Sequence, residues 1–187
     1  MTLKTSLSLE ERAQSVRMIV FDVDGVLTDG QMFFSRDGEA LKAFHVRDGL
    51  AISLAQRAGL GVAIITARQS EMVRLRGAEL KIGDIYQGSP DKVVSMQALI
   101  EKHQLDLSQI CYIGDDLNDL PLLINVGLAC TVANGAEEVQ AVSHFVADKP
   151  GGQGAVRQII EMILKSQGKW EDLVAAYRRP GCIGLCQ

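Results

Sequence analysis

The chain has 187 residues, with 19 basic and 23 acidic side chains and a formal net charge of −4. That length suits one domain, ordinarily roughly 100–200 residues, with a core that needs no staples. A pI near 5.4 argues against a surface built for nucleic acid or an anionic membrane, and 47% apolar with 22% charged residues excludes extended disorder.

In chain order, residues 1–16 read as a tail, and MTLKTSLSLEERAQSVR lacks the apolar core of a signal peptide. MIVFDV (18–23) reads as a buried strand. QMFFS (31–35) and ALKAFHV (40–46) then flank Arg36-Asp37-Gly38, and Asp-Gly between two apolar stretches predicts a hairpin near 31–46. It follows the acidic end of the first strand and should project beside it as a flap. Beyond it, helical patterns near 48–58, 69–80, 90–103, 117–125 and 153–165 alternate with strands GVAIIT (61–66), ICYIG (110–114) and HFVA (144–147). DIYQ (84–87) and LACTV (128–132) are weaker strand candidates, and 167–187 reads as a second tail. The alternation predicts an α/β domain over 17–166: a doubly wound, mostly parallel sheet with right-handed crossovers.

Four cysteines are too few and scattered for a disulfide framework. Cys111 and Cys130 sit in apolar runs and read as buried thiols, while Cys182 and Cys186 lack the further ligands of a metal site. No stretch approaches the ~18 apolar residues of a membrane span. A cytoplasmic protein is expected.

Two strand exits carry chemistry. Asp22-Val23-Asp24-Gly25 places two carboxylates on one side where the first strand ends. Gly114-Asp115-Asp116-Leu117-Asn118-Asp119 follows another apolar strand. A helix cap and a solvated turn would account for Asp-x-Asp alone, and a helix N-terminus would account for one acid of the second group but not three. Two acidic strand ends in one parallel sheet instead converge on a hard, oxygen-liganded cation, which points to Mg²⁺. Thr66 closes the strand 61–66 and Lys92 opens a helix after Ser89-Pro90-Asp91; each is unremarkable alone.

The ordered set of Asp-x-Asp, Thr, Lys and Gly-Asp-Asp-x-x-Asp resembles the haloacid dehalogenase (HAD) superfamily over roughly residues 17–165. The resemblance implies Asp22 as a nucleophile forming an aspartyl-phosphate and Asp24 as acid, then base. It implies Mg²⁺ on Asp22, the Asp24 carbonyl and Asp115, with Asp116 behind them. Thr66 and Lys92 would stabilise the transferring phosphoryl group, and Asp119 would orient Lys92.

Only 41 residues lie between Asp24 and Thr66, and 25 between Thr66 and Lys92, too few for an inserted cap domain. With Phe44-His45-Val46-Arg47-Asp48-Gly49, Thr66-Ala67-Arg68 and Gly151-Gly152-Gln153-Gly154-Ala155-Val156-Arg157, the chain is similar to the capless 3-deoxy-D-manno-octulosonate 8-phosphate phosphatases of lipopolysaccharide synthesis. The resemblance implies a sugar acid phosphate substrate, a homotetramer, and 151–157 near a neighbouring active site. His45, Val46, Arg47, Asp48, Gly49, Arg68 and Arg76, with Asp24 and Lys92, are the expected substrate contacts. Arg47, Arg68 and Arg76 could clasp a carboxylate in a two-bond fork, and Asp48 could accept from sugar hydroxyls. Arg76 could equally be a solvated helix residue, His45 a flap side chain, and the glycine run a plain loop. Ser53 stands where some family members place an Arg.

Related capless enzymes act on nine-carbon sugar acid phosphates, which leaves a second substrate class. A receiver-like signalling domain is a further alternative, since Asp148-Lys149-Pro150 mimics its Lys-Pro, but a receiver is shorter and has a lone acceptor Asp on a middle strand, where GVAIIT ends instead in Thr66 and the double acid comes late, at 115–116. An inactive scaffold is the third, disfavoured by the presence of both Asp22 and Asp24.

Overall fold

The computed structural model describes residues 7–178. The chain runs through α1 (Leu9–Ser15), β1 (Met18–Phe21), β2 (Phe33–Ser35), β3 (Gly38–Leu41), α2 (Val46–Arg57), β4 (Gly61–Ile65), α3 (Glu71–Glu79), β5 (Asp84–Tyr86) and α4 (Lys92–His103). It continues with β6 (Ile110–Ile113), a 3₁₀ turn over Leu117–Asp119, α5 (Leu120–Leu123), β7 (Leu128–Thr131), α6 (Glu137–Val142), β8 (Phe145–Val146), α7 (Ala155–Ser166) and α8 (Trp170–Arg178).

Six strands form one sheet in the order β5-β4-β1-β6-β7-β8, and every pairing in it is parallel. Strands buried on both faces cannot alternate apolar with polar, which is why 18–21 and 110–113 are nearly continuous apolar runs. Alternate side chains feed two cores. Ile19, Phe21, Cys111 and Ile113 join the core with α1, α2 and α7, while Met18, Val20, Ile110 and Tyr112 face the core with α4, α5 and α6. The two weaker strand candidates are both full members of the sheet. The flap is a separate two-stranded sheet of β2 and β3, with its second arm ending at Leu41, not 46.

Both segments read as tails carry helices. α1 starts on a capping box in which Ser8 and Glu11 bond each other's backbone, a Ser-x-x-Glu signature that sequence reading passed over. It seats Ala13 and Val16 in the core. α8 packs Trp170 and Leu173 against the same core. Cys182 and Cys186 lie outside the described residues. Cys111 and Cys130 are buried free thiols, as expected. Among the described residues no helix is long and apolar enough to cross a membrane.

The chain visits β1, β4 and β5 on one side, then crosses to β6 on the other side of β1. The order therefore reverses between β1 and β6, and the crevice beyond their carboxyl ends is where such sheets bind ligands.

Candidate active site

Asp22 follows β1 and Asp115 follows β6, the two strands that flank this crevice. The Asp22 amide donates to the Ile113 carbonyl (2.9 Å), so the two exits are locked side by side. Lys92, the first residue of α4, reaches in from the other face. Its ammonium lies 3.0 Å from Asp22 Oδ2 and 2.6 Å from Asp119 Oδ1, and its side chain is 3% exposed. Burial works against its charge, but attraction from Asp22 and Asp119 prevails and holds the ammonium above its ordinary range.

Asp119 is saturated. Its Oδ1 accepts from Lys92 Nζ and from the Tyr112 hydroxyl (2.5 Å), and its Oδ2 accepts from the backbone amides of Asp115 (2.9 Å) and Asp116 (3.2 Å). Gly114 permits this, because a Cβ there would stand 2.5 Å from the Asp119 side chain. Asp116 is exposed and caps the turn, with Oδ1 accepting from the Leu117 amide (2.7 Å).

Asp22 and Asp115 are different. Asp22 Oδ1 and Asp115 Oδ1 are buried with no hydrogen-bond partner among the described residues. Desolvation, opposed by Lys92 and reinforced by Asp119, pushes the Asp22 carboxyl up to about 6. Desolvation together with Asp22, Asp119 and Asp116 pushes Asp115 up to about 7. Gly25, at φ +92, brings the β1 loop against Asp115: a Cβ there would meet Asp115 Oδ2 at 2.0 Å. Asp22, Asp115 and Asp119 each present an oxygen within 4.8 Å of the others. Since both oxygens of Asp119 are already bonded, Asp22 and Asp115 are the members of this group that keep an unpartnered oxygen. Two converging buried carboxylate oxygens without donors fit a hard divalent cation.

Asp24 sits between two cations. Lys42, one residue beyond β3, bonds Asp24 Oδ1, and Arg68 Nε lies 3.8 Å from Asp24 Oδ2. Thr66 is buried at the end of β4, its backbone tied to Tyr86 and Ser89. The structure therefore gathers Asp22, Asp24, Arg68, Lys92, Asp115 and Asp119 at one sheet end, with Thr66 closing the adjacent strand.

A haloacid dehalogenase-like hydrolase family matches residues 76–160. The 3-deoxy-D-manno-octulosonate 8-phosphate phosphatase KdsC of Escherichia coli K12 is 39% identical over 161 residues, 86% of each chain. The chain belongs to the family of 3-deoxy-D-manno-octulosonate 8-phosphate phosphatases. Among solved structures, the Moraxella catarrhalis phosphatase, in complex with magnesium, phosphate and a KDO molecule, superposes with a TM-score of 0.88 at 40% identity. That match covers 90% of this chain and 97% of that one. A cobalt-bound Haemophilus influenzae phosphatase gives 0.86 at 36% identity, covering 90% and 99%.

In this phosphatase the remaining expected substrate contacts fall into a second group. Arg76 lies 5.8 Å over the Phe44 ring and bonds Glu79 (2.8 Å). Gly49 makes room for it, since a Cβ there would meet its guanidinium at 2.2 Å. Asp48 is 2% exposed. Its Oδ1 accepts from the Arg157 amide (2.7 Å) and Oδ2 from the Gly154 amide (3.2 Å). Gly154 has no side chain to cap α7, so Asp48 on α2 does it from outside. The expectation that Asp48 accepts from sugar hydroxyls therefore meets a carboxylate already occupied by backbone donors. Burial raises its pKa, against the pull of those same bonds.

His45 Nδ1 is buried without a hydrogen bond, 3.7 Å from Asp48. Val46 and Arg47 are exposed at the start of α2. Arg47, Gln153 and Arg157 line a groove of about 570 Å³.

The glycine run is more than a loop. A Cβ on Gly151 would stand 1.6 Å from the Gly25 carbonyl oxygen, and the Gly152 amide donates to Val26 (3.0 Å). This segment braces the β1 loop of its own chain. Sequence reading missed Lys42, Glu39, Ser70, Tyr112 and the braced contact of Gly25. The first three lie in or beside the flap, where no periodic pattern marks a function.

Proposed function

We propose that this phosphatase hydrolyses 3-deoxy-D-manno-octulosonate 8-phosphate to the free sugar acid and phosphate, with Mg²⁺, in lipopolysaccharide synthesis. The observation that carries the reading is the pair of orphaned oxygens on Asp22 and Asp115 beside the Lys92 ammonium. Such a site can accept one cation and one anion in contact with each other.

Asp22 and Asp115 would hold Mg²⁺ through their carboxylates and Asp24 through its backbone carbonyl. When bound, the ion supplies the positive charge that lets a carboxylate approach a phosphate ester. The Asp22 carboxylate attacks phosphorus, and the bond from phosphorus to the sugar oxygen breaks. Asp24 gives its proton to that departing oxygen. Water then attacks phosphorus and passes a proton to Asp24, while the bond from phosphorus to Asp22 breaks and restores the carboxylate. Lys92 fixes Asp22 and places a cation beside the transferring group, Thr66 donates to it, and Asp119 holds Lys92 in place. Asp116 secures the turn that carries Asp115. Arg68, 47% exposed beside Asp24, is suited to the sugar acid's carboxylate.

The reading extends to His45, Val46, Arg47, Gly49 and Arg76 as the side of the site that faces sugar, with Asp48 holding α7 behind them. It also takes the protein as a cytoplasmic homotetramer with 151–157 near a neighbouring active site. What supports assembly is the sparse cover: Phe33, Phe34 and Leu41 of the flap and Val46 and Leu50 on α2 remain exposed.

The test is phosphate release from eight- and nine-carbon sugar acid phosphates and simple hexose phosphates, with and without Mg²⁺. Turnover of the eight-carbon ester that disappears with chelator is expected. Asp22→Asn should lose on the order of 10⁴-fold or more while keeping its circular dichroism. Equal turnover of all esters would overturn the substrate, and retained turnover by Asp22→Asn would overturn the covalent route.

A further inference from the structure

The flap hairpin has little to hold it down. Phe33, Phe34 and Leu41 are 42%, 64% and 48% exposed, and an isolated two-stranded hairpin is marginally stable in water. What ties it to the sheet end is a polar chain. Lys42 bonds both Asp24 Oδ1 and Glu39 Oε1, the latter at 3.0 Å, with a side chain 1% exposed. The other oxygen of Glu39 accepts from the Ser70 hydroxyl at the start of α3. The Ser70 amide in turn donates to Gln87 Oε1 (2.8 Å), just beyond β5. An ammonium on a side chain this enclosed needs the acceptor oxygens of both Asp24 and Glu39, so docking of the flap and orientation of Asp24 are one event.

We propose that Lys42 is a positioning residue for Asp24: it pins Oδ1 and so turns Oδ2 alone towards the departing sugar oxygen, with Glu39 and Ser70 holding Lys42 in place. A carboxylate free to turn would offer either oxygen in many orientations, whereas proton transfer needs one oxygen within hydrogen-bond reach of its target. Asp24 Oδ2 is free for that task, since it makes no hydrogen bond among the described residues and Arg68 stays 3.8 Å away. The flap thus acts on the chemistry as well as covering it. The inference rests on the proposed role of Asp24 as acid and base.

The experiment compares leaving groups in the Mg²⁺-loaded enzyme. A sugar alkoxide needs a proton as it departs, whereas p-nitrophenolate does not. Rapid-mixing measurements would follow the first turnover of Lys42→Met on 3-deoxy-D-manno-octulosonate 8-phosphate and on p-nitrophenyl phosphate. The sugar ester's first turnover should slow by roughly 10²-fold, with the p-nitrophenolate burst within about threefold of the native rate. Glu39→Gln and Ser70→Ala should shift the same ratio in the same direction by less, and Lys42→Arg should restore part of it. These milder variants carry the test if Lys42→Met does not fold. Equal slowing of both substrates, or of neither, overturns the proposal. A native enzyme inert towards the sugar ester overturns the substrate instead, and glycerol phosphate then takes its place in the same comparison.

Discussion

Asp115 and Asp119 lie four residues apart on one loop, yet the fold treats them in opposite ways. Asp119 receives four donors, one from a lysine, one from a tyrosine and two from the backbone. Asp115 has an oxygen that receives none, and its neighbours Asp22, Asp119 and Asp116 all repel its charge. One half of the cluster is complete without any ligand and acts as structure. The other is left in electrostatic debt at the spot where a cation would stand. Burial alone does not separate a structural acid from a functional one; the donors each receives do.

The sharpest way to break this comparison is to truncate the completed acid. Asp119→Ala removes one of the two carboxylates that pair the buried Lys92 ammonium, leaving only Asp22, and takes the acceptor from the Tyr112 hydroxyl and the Asp115 and Asp116 amides. Halving that pairing and stranding three donors costs about 3–5 kcal/mol. Urea unfolding of the metal-free variant should show that loss. A native midpoint would mean that Asp22 alone satisfies Lys92 and that water reaches the stranded donors.

Asp115→Asn should act with the opposite sign. The Asp115 carboxyl is pushed up to about 7 in the folded protein from its ordinary value of 3.8. The folded state therefore binds more protons than the unfolded chain between those values, and stability conferred at low pH is lost as pH rises through that window. At about 1.4 kcal/mol per pH unit, the penalty in metal-free protein is on the order of 4 kcal/mol above pH 7. Asn carries no such penalty. Melting of metal-free variant and native protein should coincide near pH 4 and diverge by pH 8, with the variant more stable. Added Mg²⁺ should then raise the native midpoint and leave the variant's almost unmoved. A variant less stable at pH 8 would contradict the electrostatic account.

Much of this cluster was legible in the sequence because strand ends are. A run such as MIVF or ICYI must be buried on both faces, so Asp22 and Asp115 had to emerge where the strands end, at the carboxyl end of the sheet. Lys92 and Asp119 could be named through the resemblance, but not their mutual 2.6 Å contact, which depends on α4 crossing to the same crevice. The flap was visible as a hairpin and opaque as a device. Lys42 is one lysine in an exposed segment, and nothing in its spacing reports that its ammonium ends up buried against Asp24. α1 and α8 were missed because helices of 7 and 9 residues show too few turns for a period to stand out.

Asp48 asks whether the rule extends beyond the cluster. It is as buried as Asp22 and Asp119, its pKa is raised by desolvation, and sequence reading placed it against the sugar. By the count of donors it belongs with Asp119, because both its oxygens accept backbone amides at the start of α7. Asp48→Ala should then cost about 1–2 kcal/mol, the ordinary worth of a helix cap. Asp48→Asn, which keeps one acceptor oxygen, should cost less. Measured well below the melting range, KM for the sugar acid phosphate should stay within about twofold, since a cap lost from α7 leaves the phosphate site built on β1 and β6 intact. A tenfold rise in KM with an unchanged melting temperature would move Asp48 out of the structural class and back to the sugar hydroxyls, and would show that counting donors misjudges an acid whose oxygens are shared between backbone and ligand.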